Sequence, residues 1–362
     1  MLTPDPRSVT ERNSRRPRVA VLLEHYGRTM SPCASIRLHG YLEYLGARGE
    51  IQLRSLLIEE LQAFRPDVVI WHRTSVPTVR DVDALAAIAD FIGARMVYDL
   101  DDNLLDMDDH GEGRAYRDLT SAVERSLQLA HMVWCSTGAL ARRVSTVAGG
   151  AVEVLPNALD PRIWAQLPQP TAGGEGNPVF RLLYMGTRTH DQDFAFLCRV
   201  MASLETRLPG RFRLTLIGVC ERAPVDAPWL ELHGPPAEVG SSYPAFVHWL
   251  QQQHGFDLGV APLLSDTFND CKSSIKVMDY AALGLPALAS RMPAYTEGLR
   301  SGIDCFHADN EVSAWVDALV AISRDRSRLM QVVAAALVSV APGGFANAAQ
   351  LRLGCIRRLI AR

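Results

Sequence analysis

Residues 256–290 read FDLGVAPLLSDTFNDCKSSIKVMDYAALGLPALAS, and this stretch decides the fold. The run from Leu258 to Leu263 is short and apolar, which predicts a buried parallel strand. A polar loop follows, and helical spacing then extends from about Lys272 to Leu283, where Gly284 and Pro286 end it. The final PALAS predicts another short strand. The pattern is therefore a strand, loop, helix and strand of a parallel sheet.

The predicted helix carries its charged residues on one face. Lys272, Lys276 and Asp279 are spaced at i, i+4 and i+7 and so form one stripe. Two lysines near the positive end of a helix are unfavourable unless an anion lies beside them. A diphosphate there would accept hydrogen bonds from the free backbone amides, from Ser273 and Ser274, and from both ammonium groups. Asp279 would accept ribose hydroxyls. The alternative, a solvated amphipathic helix, explains the crowded positive charge less well.

Composition restricts the class of protein. With 362 residues, 48% hydrophobic and 21% charged, the chain is globular and long enough for two domains. The net charge of -3 argues against general nucleic-acid binding. We find no apolar run of membrane-spanning length and no apolar signal core, so we expect a cytoplasmic location. Seven scattered cysteines form no C-x-x-C pair, which predicts reduced core residues without zinc or disulfides.

Strand and helix patterns alternate along the whole chain, which predicts α/β domains with doubly wound parallel sheets. A ligand is expected between two such domains, at the carboxyl ends of the strands. Neither a G-x-x-x-x-G-K-S/T loop nor a G-x-G-x-x-G turn is present, which excludes P-loop ATPases and NAD enzymes. The predicted segments are a disordered tail (1–16), a first domain (17–164), a Pro/Gly-rich linker (165–178), a second domain (179–341) and a basic C-terminal helix (342–362). We expect the C-terminal helix to pack back on the first domain; the alternative is contact with an anionic membrane surface.

The stretch YMGTRTHDQDF (184–194) predicts a second phosphate contact. A strand ends in Gly186, which lets the backbone approach a ligand; Thr187 follows it, and Arg188 suits phosphate oxygens. His190 can donate to an oxyanion. The alternative is a glycine turn with a helix cap.

The stretch YDLDDNLLDMDDH (98–110) places acidic residues directly after a strand. Asp99, Asp101 and Asp102 could hold Mg²⁺ or Mn²⁺ as an Asp-x-Asp motif does, orient an acceptor hydroxyl, or form a solvated loop. Because the second domain already offers cations to phosphate, we favour acceptor and sugar contacts by Asp101 and Asp102.

The loop after the first strand is made of small residues that allow a ligand to approach. Ser35 and Arg37 lie in it, and Arg37 is again a cation at a helix start. Arg73, at the end of another strand, lines the ligand site or pairs with a carboxylate. Cys33 as a nucleophile is rejected because no base is assigned to it, and His72 is interpreted as structural.

Together these motifs resemble the retaining GT-B glycosyltransferases of the glycogen-synthase-like superfamily, particularly bacterial enzymes of O-antigen and exopolysaccharide assembly. The similarity covers nearly the whole chain from Arg18. Its most specific part is the 256–290 stretch, which resembles the donor-binding strand, loop and helix of that family. VLPNALD (154–160) is similar to the segment Val-Ile-Pro-Asn-Gly-Val-Asp that crosses between domains, with Ala158 in place of glycine. YDLDD occurs in a subset of these enzymes.

The resemblance implies two Rossmann-like domains facing a cleft, a nucleotide diphosphate sugar donor, retention of configuration, and no cofactor or metal. The acceptor would be a saccharide, a lipid-linked saccharide or another hydroxyl compound, and a membrane-associated acceptor would place the protein at the inner face of the membrane. By position, Asp279 matches the second carboxylate of a Glu-x7-Glu motif and Lys276 the lysine of its Ser-Lys variant. Cys271 stands where the first glutamate is expected.

We assign the candidate residues to three groups. The catalytic group is Asp101, Asp102, Arg188 and Lys276; the donor-binding group is Gly186, Thr187, His190, Asn269, Asp270, Lys272, Ser273, Ser274 and Asp279; the acceptor-side group is Ser35, Arg37 and Arg73. Three alternatives to a metal-independent transferase remain. They are a GT-B sugar-nucleotide epimerase, a non-catalytic sugar-nucleotide-binding partner of another transferase, and a metal-dependent transferase that uses Asp99 and Asp101.

Overall fold

The structure is a computed structural model that describes residues 15–107, 113–165, 179–186, 190–218, 226–236, 239 and 242–361. Its strands form two six-stranded sheets and one small hairpin. The strands before residue 160 are β1 (Arg18–Leu22), β2 (His25–Tyr26), β3 (Thr29–Met30), β4 (Gln52–Ser55), β5 (Val68–His72), β6 (Arg95–Leu100), β7 (Met132–Cys135) and β8 (Ala151–Val154). Those after it are β9 (Phe180–Gly186), β10 (Phe212–Gly218), β11 (Leu230–Leu232), β12 (Leu258–Ala261), β13 (Ala287–Ser290) and β14 (Phe306–Ala308).

Both large sheets are parallel and have a reversal of strand order near the middle. The orders are β4-β1-β5-β6-β7-β8 and β11-β10-β9-β12-β13-β14. The reversals therefore fall between β1 and β5 in the first sheet and between β9 and β12 in the second. At such switch points the loops after two neighbouring strands diverge and leave room for a ligand. The predicted fold class of doubly wound parallel sheets is confirmed.

Most of the segments between these strands contain helices. They are α1 (Pro32–Ala34), α2 (Gly40–Ala47), α3 (Leu61–Phe64), α4 (Val79–Ile92), α5 (Gly113–Leu129), α6 (Gly138–Val144), α7 (Asp191–Arg207), α8 (Tyr243–Leu250), α9 (Ile275–Ala282), α10 (Pro293–Thr296), α11 (Val312–Arg324), α12 (Arg326–Ser339) and α13 (Pro342–Ile360). A π-helical turn, Ser35–His39, joins α1 to α2, and 3-10 turns cover Ile58–Glu60 and Asn269–Cys271.

The chain divides into two compact units. Met1–Asp160 and Pro342–Arg362 form the first unit, and Pro161–Ala341 forms the second, so the division lies four residues before the boundary drawn from the sequence. Residues 1–14 of the predicted tail and 166–178 of the predicted linker lie outside the described residues.

Helix α13 completes the core of the first unit. Phe345 stacks on Tyr41 of α2 with ring centres 4.5 Å apart, and Leu353 and Ile356 are buried in the same core. On the outer side of α13, Arg358 donates to Glu153 of the same unit at 2.8 Å. The first unit is therefore built from both ends of the described chain.

One stretch overturns the expectation that no apolar run reaches membrane-spanning length. Residues 326–360 contain a window that is long and apolar enough by composition to cross a membrane. The structure divides this stretch into α12 and α13, because Pro342 lacks the amide hydrogen that a continuous helix needs there. Val332 and Val333 of α12 are buried, and so are Ala349 and Ile356 of α13. Of the apolar window itself, 35% is buried, so the core of the protein covers only part of it.

The helix predicted from Lys272 begins later than expected. The 3-10 turn at 269–271 ends at Lys272, whose ψ of 159° is extended, and Ser274 is the N-cap of α9. The turn forms because Asp266 accepts a hydrogen bond from the backbone amide of Asn269 at 2.6 Å and holds the chain in a separate local structure. Lys272 therefore precedes the helix, whereas Lys276 lies in its first turn.

Tyr280 fixes α9 to the sheet at the switch point. Its hydroxyl donates to the carbonyl of Val260 in β12 at 2.9 Å and accepts from the amide of Met185 in β9 at 3.2 Å. The ring lies against Gly259, where an added Cβ would be 2.3 Å from the ring. Only glycine allows this approach, so one helix is held against both strands that border the switch point.

Candidate functional site

Lys276 on α9 has a buried ammonium group in the second unit. Its Nζ lies 4.9 Å from the ring centre of Tyr184 in β9 and has no hydrogen-bond partner within the part of the chain that the structure describes. Burial lowers the pKa of Lys276 to about 7; the carboxylate of Asp193 opposes this shift and the positive charge of Lys272 adds to it. A buried, unpartnered cation is costly to a fold, which points to an anion that binds it.

Asp279 lies three residues further along the same helix. Its Oδ1 is buried and lacks a hydrogen-bond partner among the described residues. Burial raises the pKa of Asp279 to about 8, against the opposing charge of Lys276. The carboxyl is therefore mostly protonated at pH 7 and can both donate and accept hydrogen bonds, which suits a pair of neighbouring hydroxyl groups.

Asp193 in the first turn of α7 ties the two loops of this switch point together. One carboxylate oxygen lies 2.8 Å from Nδ1 of His190, and the other accepts from the amide of Leu264 at 2.7 Å. Burial raises the pKa of Asp193 to about 6, although the Leu264 amide favours the ionised form. His190 is thus held by Asp193 and is largely buried.

The loop between β12 and α9 is ordered by its own polar side chains. The side-chain amide of Asn269 donates to the Leu264 carbonyl at 2.9 Å, while its buried Oδ1 has no partner among the described residues. Asp270 accepts from Ser265 at 3.1 Å, and Lys272 lies 4.5 Å from the ring centre of Phe268. This loop therefore holds Asn269 in one orientation beside the start of α9.

The remaining residues predicted to contact the donor lie before α9 and at the end of β9. Ser273 and Ser274 precede α9, and the side chain of Ser274 makes no cap hydrogen bond. Gly186 ends β9 beside Gly218, where an added Cβ would meet the Gly186 carbonyl oxygen at 2.2 Å. Thr187 and Arg188 lie outside the described residues.

The choice of basic residue is a further signal for this site, beyond the motifs described above. Lys272 and Lys276 are the only lysines in the chain, although it has 37 basic residues in all. The ammonium group is a compact charge that changes its pKa readily when buried, whereas arginine stays charged. A chain that uses arginine elsewhere and lysine only here indicates a specific need for this group.

In the first unit, Arg37 is fully buried and paired. Its guanidinium donates to both oxygens of Asp99, at 3.1 and 2.8 Å, and to the Leu155 carbonyl and Asn157 at 2.7 and 2.8 Å. It thereby joins the π-helical turn to the end of β6 and to the segment after β8. Ser35, close to it in sequence, donates to the sulfur of Met30 at 3.3 Å.

Arg73 follows β5 at the switch point of the first sheet. It has a positive φ of 46° and donates to Asp101 at 2.8 Å and to Asp102 at 2.6 Å. The predicted catalytic carboxylates are therefore brought together by one guanidinium. The charge of Arg73 lowers the pKa of Asp101 in spite of burial, so this carboxylate stays ionised and is a poor base at neutral pH.

Cys33 and His72 have no catalytic arrangement among the described residues. Burial, aided by nearby carboxylates, raises the pKa of the Cys33 thiol well above its usual value, which disfavours the reactive thiolate. Burial also lowers the pKa of His72. Of the seven cysteines, the six that are described are free, and Cys220 lies outside the described residues.

The fold is that of the GT-B glycosyltransferases, with two separate parallel α/β sheets. Structures similar to this chain include HepE of Anabaena in complex with UDP-glucose, with a TM-score of 0.61 and 12% identity over 94% of this chain and 100% of that one. Sucrose-phosphate synthase of Thermosynechococcus elongatus has a TM-score of 0.64 and 10% identity over 95% and 98%. A glycosyltransferase of Rickettsia africae has a TM-score of 0.63 and 10% identity over 95% and 98%. No protein-family model and no curated protein sequence matches this chain.

Proposed function

We propose that this protein is a glycosyltransferase that moves a sugar from a nucleotide diphosphate sugar to an acceptor hydroxyl. The observation that carries the proposal is the pair of buried, unpartnered groups on α9, Lys276 Nζ and Asp279 Oδ1, at a sheet switch point of a GT-B fold. A donor supplies what both groups lack among the described residues. Its diphosphate offers anionic oxygens to the ammonium, and its ribose offers hydroxyls to the carboxyl.

The chemical role of Lys276 follows from its surroundings. As the bond between the sugar and the diphosphate breaks, negative charge develops on the departing phosphate. Lys276 Nζ is held in place by the Tyr184 ring and is shielded from water, so its interaction with that charge is stronger than in solution. Lys272 and the positive end of the α9 dipole add to this stabilisation. Catalysis is then electrostatic, with no covalent intermediate on the protein.

We further propose that transfer proceeds with retention and without a metal, as in the family that the sequence resembles. The departing phosphate takes the acceptor proton, so no strong protein base is needed. The low pKa of Asp101 agrees with this division of roles, because an ionised acidic carboxylate can orient a hydroxyl but is a poor proton acceptor. The biological role that goes with this reaction is the synthesis of a cell-surface polysaccharide or glycoconjugate. The reaction would take place in the cytoplasm, and at the inner face of the membrane if the acceptor is lipid-linked.

Cys271 favours one alternative, a sugar-nucleotide-binding protein without transfer activity. It occupies the position of the first motif glutamate and its side chain is buried, so no carboxylate stands at that position. Asp270, the neighbouring carboxylate, accepts a hydrogen bond from Ser265. Donor binding without turnover against any acceptor would support this alternative.

Calorimetric titration with UDP, GDP, dTDP, ADP and CDP in the presence of EDTA tests the proposal. We expect one diphosphate to bind selectively, and Asp279→Ala to weaken its binding at least tenfold, or about 1.4 kcal/mol, because alanine can neither donate nor accept a hydrogen bond to the ribose hydroxyls. Asp317→Ala, an exposed change in the same unit, is the matched control and leaves binding unchanged. Failure of the folded protein to bind any of the five would contradict the proposal.

A further inference from the structure

A short hairpin follows β1 at the switch point of the first sheet. It consists of β2 and β3, in which Tyr26 pairs with Thr29. A two-residue turn joins the strands, and its Gly27 has a φ of 63°, a conformation that favours glycine. β1 is one of the two strands that border the switch point, where doubly wound sheets bind their ligands. The hairpin therefore stands beside the expected ligand position of the first unit.

The root of the hairpin is fixed on both sides. Glu24, the residue before β2, accepts a hydrogen bond from the Thr74 hydroxyl in the loop after β5 at 2.6 Å. The Glu24 carbonyl accepts from the amide of Ser31, just after β3, at 2.9 Å. Ser31 is fully buried, and its hydroxyl accepts from the amide of Ala34 in α1 at 3.0 Å. These bonds fix the place of the hairpin without any ligand.

The two faces of the hairpin have different surroundings. Met30 packs against the core that α2 and α13 share, and the Ser35 hydroxyl donates to its sulfur at 3.3 Å. Cross-strand partners lie on the same face of a ribbon, and successive residues lie on opposite faces. Since Met30 is turned to the core, Tyr26 and its partner Thr29 lie on the face that is turned away from it.

The face that carries Tyr26 is turned toward the loop after β5. The connection from β1 to β4 and the connection from β5 to β6 run in opposite directions along the sheet. Right-handed connections of this kind place their helices, here α2 and α4, on opposite faces of the sheet. The side of the hairpin away from the α2 core is thus the side of the loop that leads to α4. Tyr26 therefore borders the crevice between these two loops.

Tyr26 is an exposed aromatic residue at this edge of the sheet. Its side chain belongs to a residue that is 57% exposed; Phe91, the other exposed aromatic residue among the described parts of the first unit, lies near the end of α4, at the opposite edge. Ligand sites combine aromatic side chains with a few polar groups. Polar groups are present at the same edge, because the side chains of Asp101 and Asp102 after β6 keep 14% and 20% of their exposure.

We propose that the ring of Tyr26 stacks on a sugar ring of the acceptor, so that Tyr26 is a specificity-determining residue of the transfer reaction. This inference rests on the proposed function and narrows the acceptor from any hydroxyl compound to a glycoside. A pyranose ring has a face of C–H groups, and its hydroxyls project at the rim. Tyr26 covers the C–H face, and carboxylates such as Asp101 accept from the rim. An open-chain alcohol offers the hydroxyls without the flat face.

Fluorine NMR of protein labelled with 3-fluorotyrosine tests the contact directly. The chain has nine tyrosines, and the signal that is absent from Tyr26→Phe belongs to Tyr26. The probes are the methyl glycosides of glucose, galactose, mannose and N-acetylglucosamine, with sorbitol as the open-chain comparison. Each is added to the full chain with and without UDP, GDP, dTDP, ADP and CDP. We expect at least one glycoside to shift the Tyr26 signal saturably, and sorbitol at the same concentration to leave it unchanged.

Variants at Tyr26 separate stacking from other contacts, with glycoside affinity measured by saturation-transfer NMR. Tyr26→Phe keeps the ring and should bind within about twofold of the unmodified protein, whereas Tyr26→Leu keeps an apolar side chain without a ring and should bind about fivefold more weakly or worse. Phe91→Leu removes an equally exposed ring at the opposite edge; it is the matched control and should change nothing. Because both positions are exposed, we expect all three variants to melt at the temperature of the unmodified protein.

Three results would overturn the inference: no response of Tyr26 to any glycoside, an equal response to sorbitol, or unchanged glycoside binding in Tyr26→Leu. A fourth is that Tyr26→Leu loses binding to vesicles of phosphatidylglycerol and phosphatidylethanolamine while no glycoside shifts the Tyr26 signal, which would assign the hairpin to a membrane surface. Calorimetric binding of the nucleoside diphosphates reports separately on the α9 site and should be the same in all three variants. A failure of the proposed donor site is thereby distinguished from a failure of this inference.

Discussion

Lys276→Met is expected to stabilise the protein and to abolish nucleoside diphosphate binding. Burial lowers the pKa of Lys276 from 10.5 to about 7, so the folded chain disfavours the proton that the unfolded chain holds. Methionine is similar to lysine in length, and because it has no ammonium group it needs no hydrogen-bond partner when buried. Removing Lys276 also removes the charge that favours ionised Asp279, so that carboxyl stays protonated near pH 7. Because the Lys276 ammonium has no hydrogen-bond partner among the described residues, its removal breaks no ion pair, and we expect a stabilisation of about 1–4 kcal/mol, the range found when apolar side chains replace whole buried ionic groups.

Urea unfolding at several pH values measures this effect. The stabilisation should be largest near pH 7 and should shrink as the pH rises toward 10.5, where the unfolded lysine also loses its proton. Lys272→Met, which alters the less buried lysine beside Phe268, is the matched control and should change the free energy of unfolding by no more than about 0.5 kcal/mol. A destabilised Lys276→Met that still binds diphosphate would show that this lysine serves packing alone.

Arg37→Met is expected to cause a large loss of stability in the first unit. Arg37 is 0% exposed and neutralises Asp99, which is also 0% exposed. Removing one partner of a buried ion pair leaves the other charge uncompensated, which costs about 3–5 kcal/mol. The hydrogen bonds to Leu155 and Asn157 are lost as well. Hydrogen exchange followed by mass spectrometry should show faster exchange in β1 and β6, with β9 of the second unit unchanged.

Two further variants identify the cause of that loss. Adding Asp99→Leu to Arg37→Met should recover part of the stability, because the uncompensated charge is then removed. Arg358→Met breaks a more exposed pair with Glu153 and should cost no more than about 1 kcal/mol. If Arg37→Met lowers the free energy of unfolding by as little as Arg358→Met does, the buried pair of Arg37 and Asp99 does not stabilise the first unit.

Most strands and helices follow from the sequence, because their apolar patterns match their burial. The run DVVIW predicts β5, and all five residues of that strand are buried. The pattern fails at β4, where Gln52–Ser55 lies at the sheet edge and is mostly exposed, so no apolar run marks it. It also fails at the start of α9, where a capped turn at 269–271 interrupts the helical spacing. Local hydrogen bonds of this kind are poorly encoded in periodicity.

The candidate site is only partly predictable, for a related reason. The spacing of Lys276 and Asp279 places both on one helix, and the sequence indicates this directly. The ring of Tyr184 beneath the ammonium comes from β9, which pairs with β12 only once the sheet forms. The joint pairing of Asp101 and Asp102 with Arg73 depends in the same way on β5 lying beside β6. Contacts across strands that are distant in sequence require the strand order, and the sequence alone does not supply it.

NMR of protein labelled with ε-¹³C-lysine tests the central claim most directly, because the chain contains only Lys272 and Lys276 and therefore gives two signals. We predict that one signal, absent from Lys276→Met, titrates with a pKa of about 7. The diphosphate selected by calorimetry should raise that pKa, because its negative charge favours the protonated ammonium, so binding near pH 8 takes up a proton. Two signals that titrate near 10.5 and do not respond to any nucleoside diphosphate would contradict the proposed donor site.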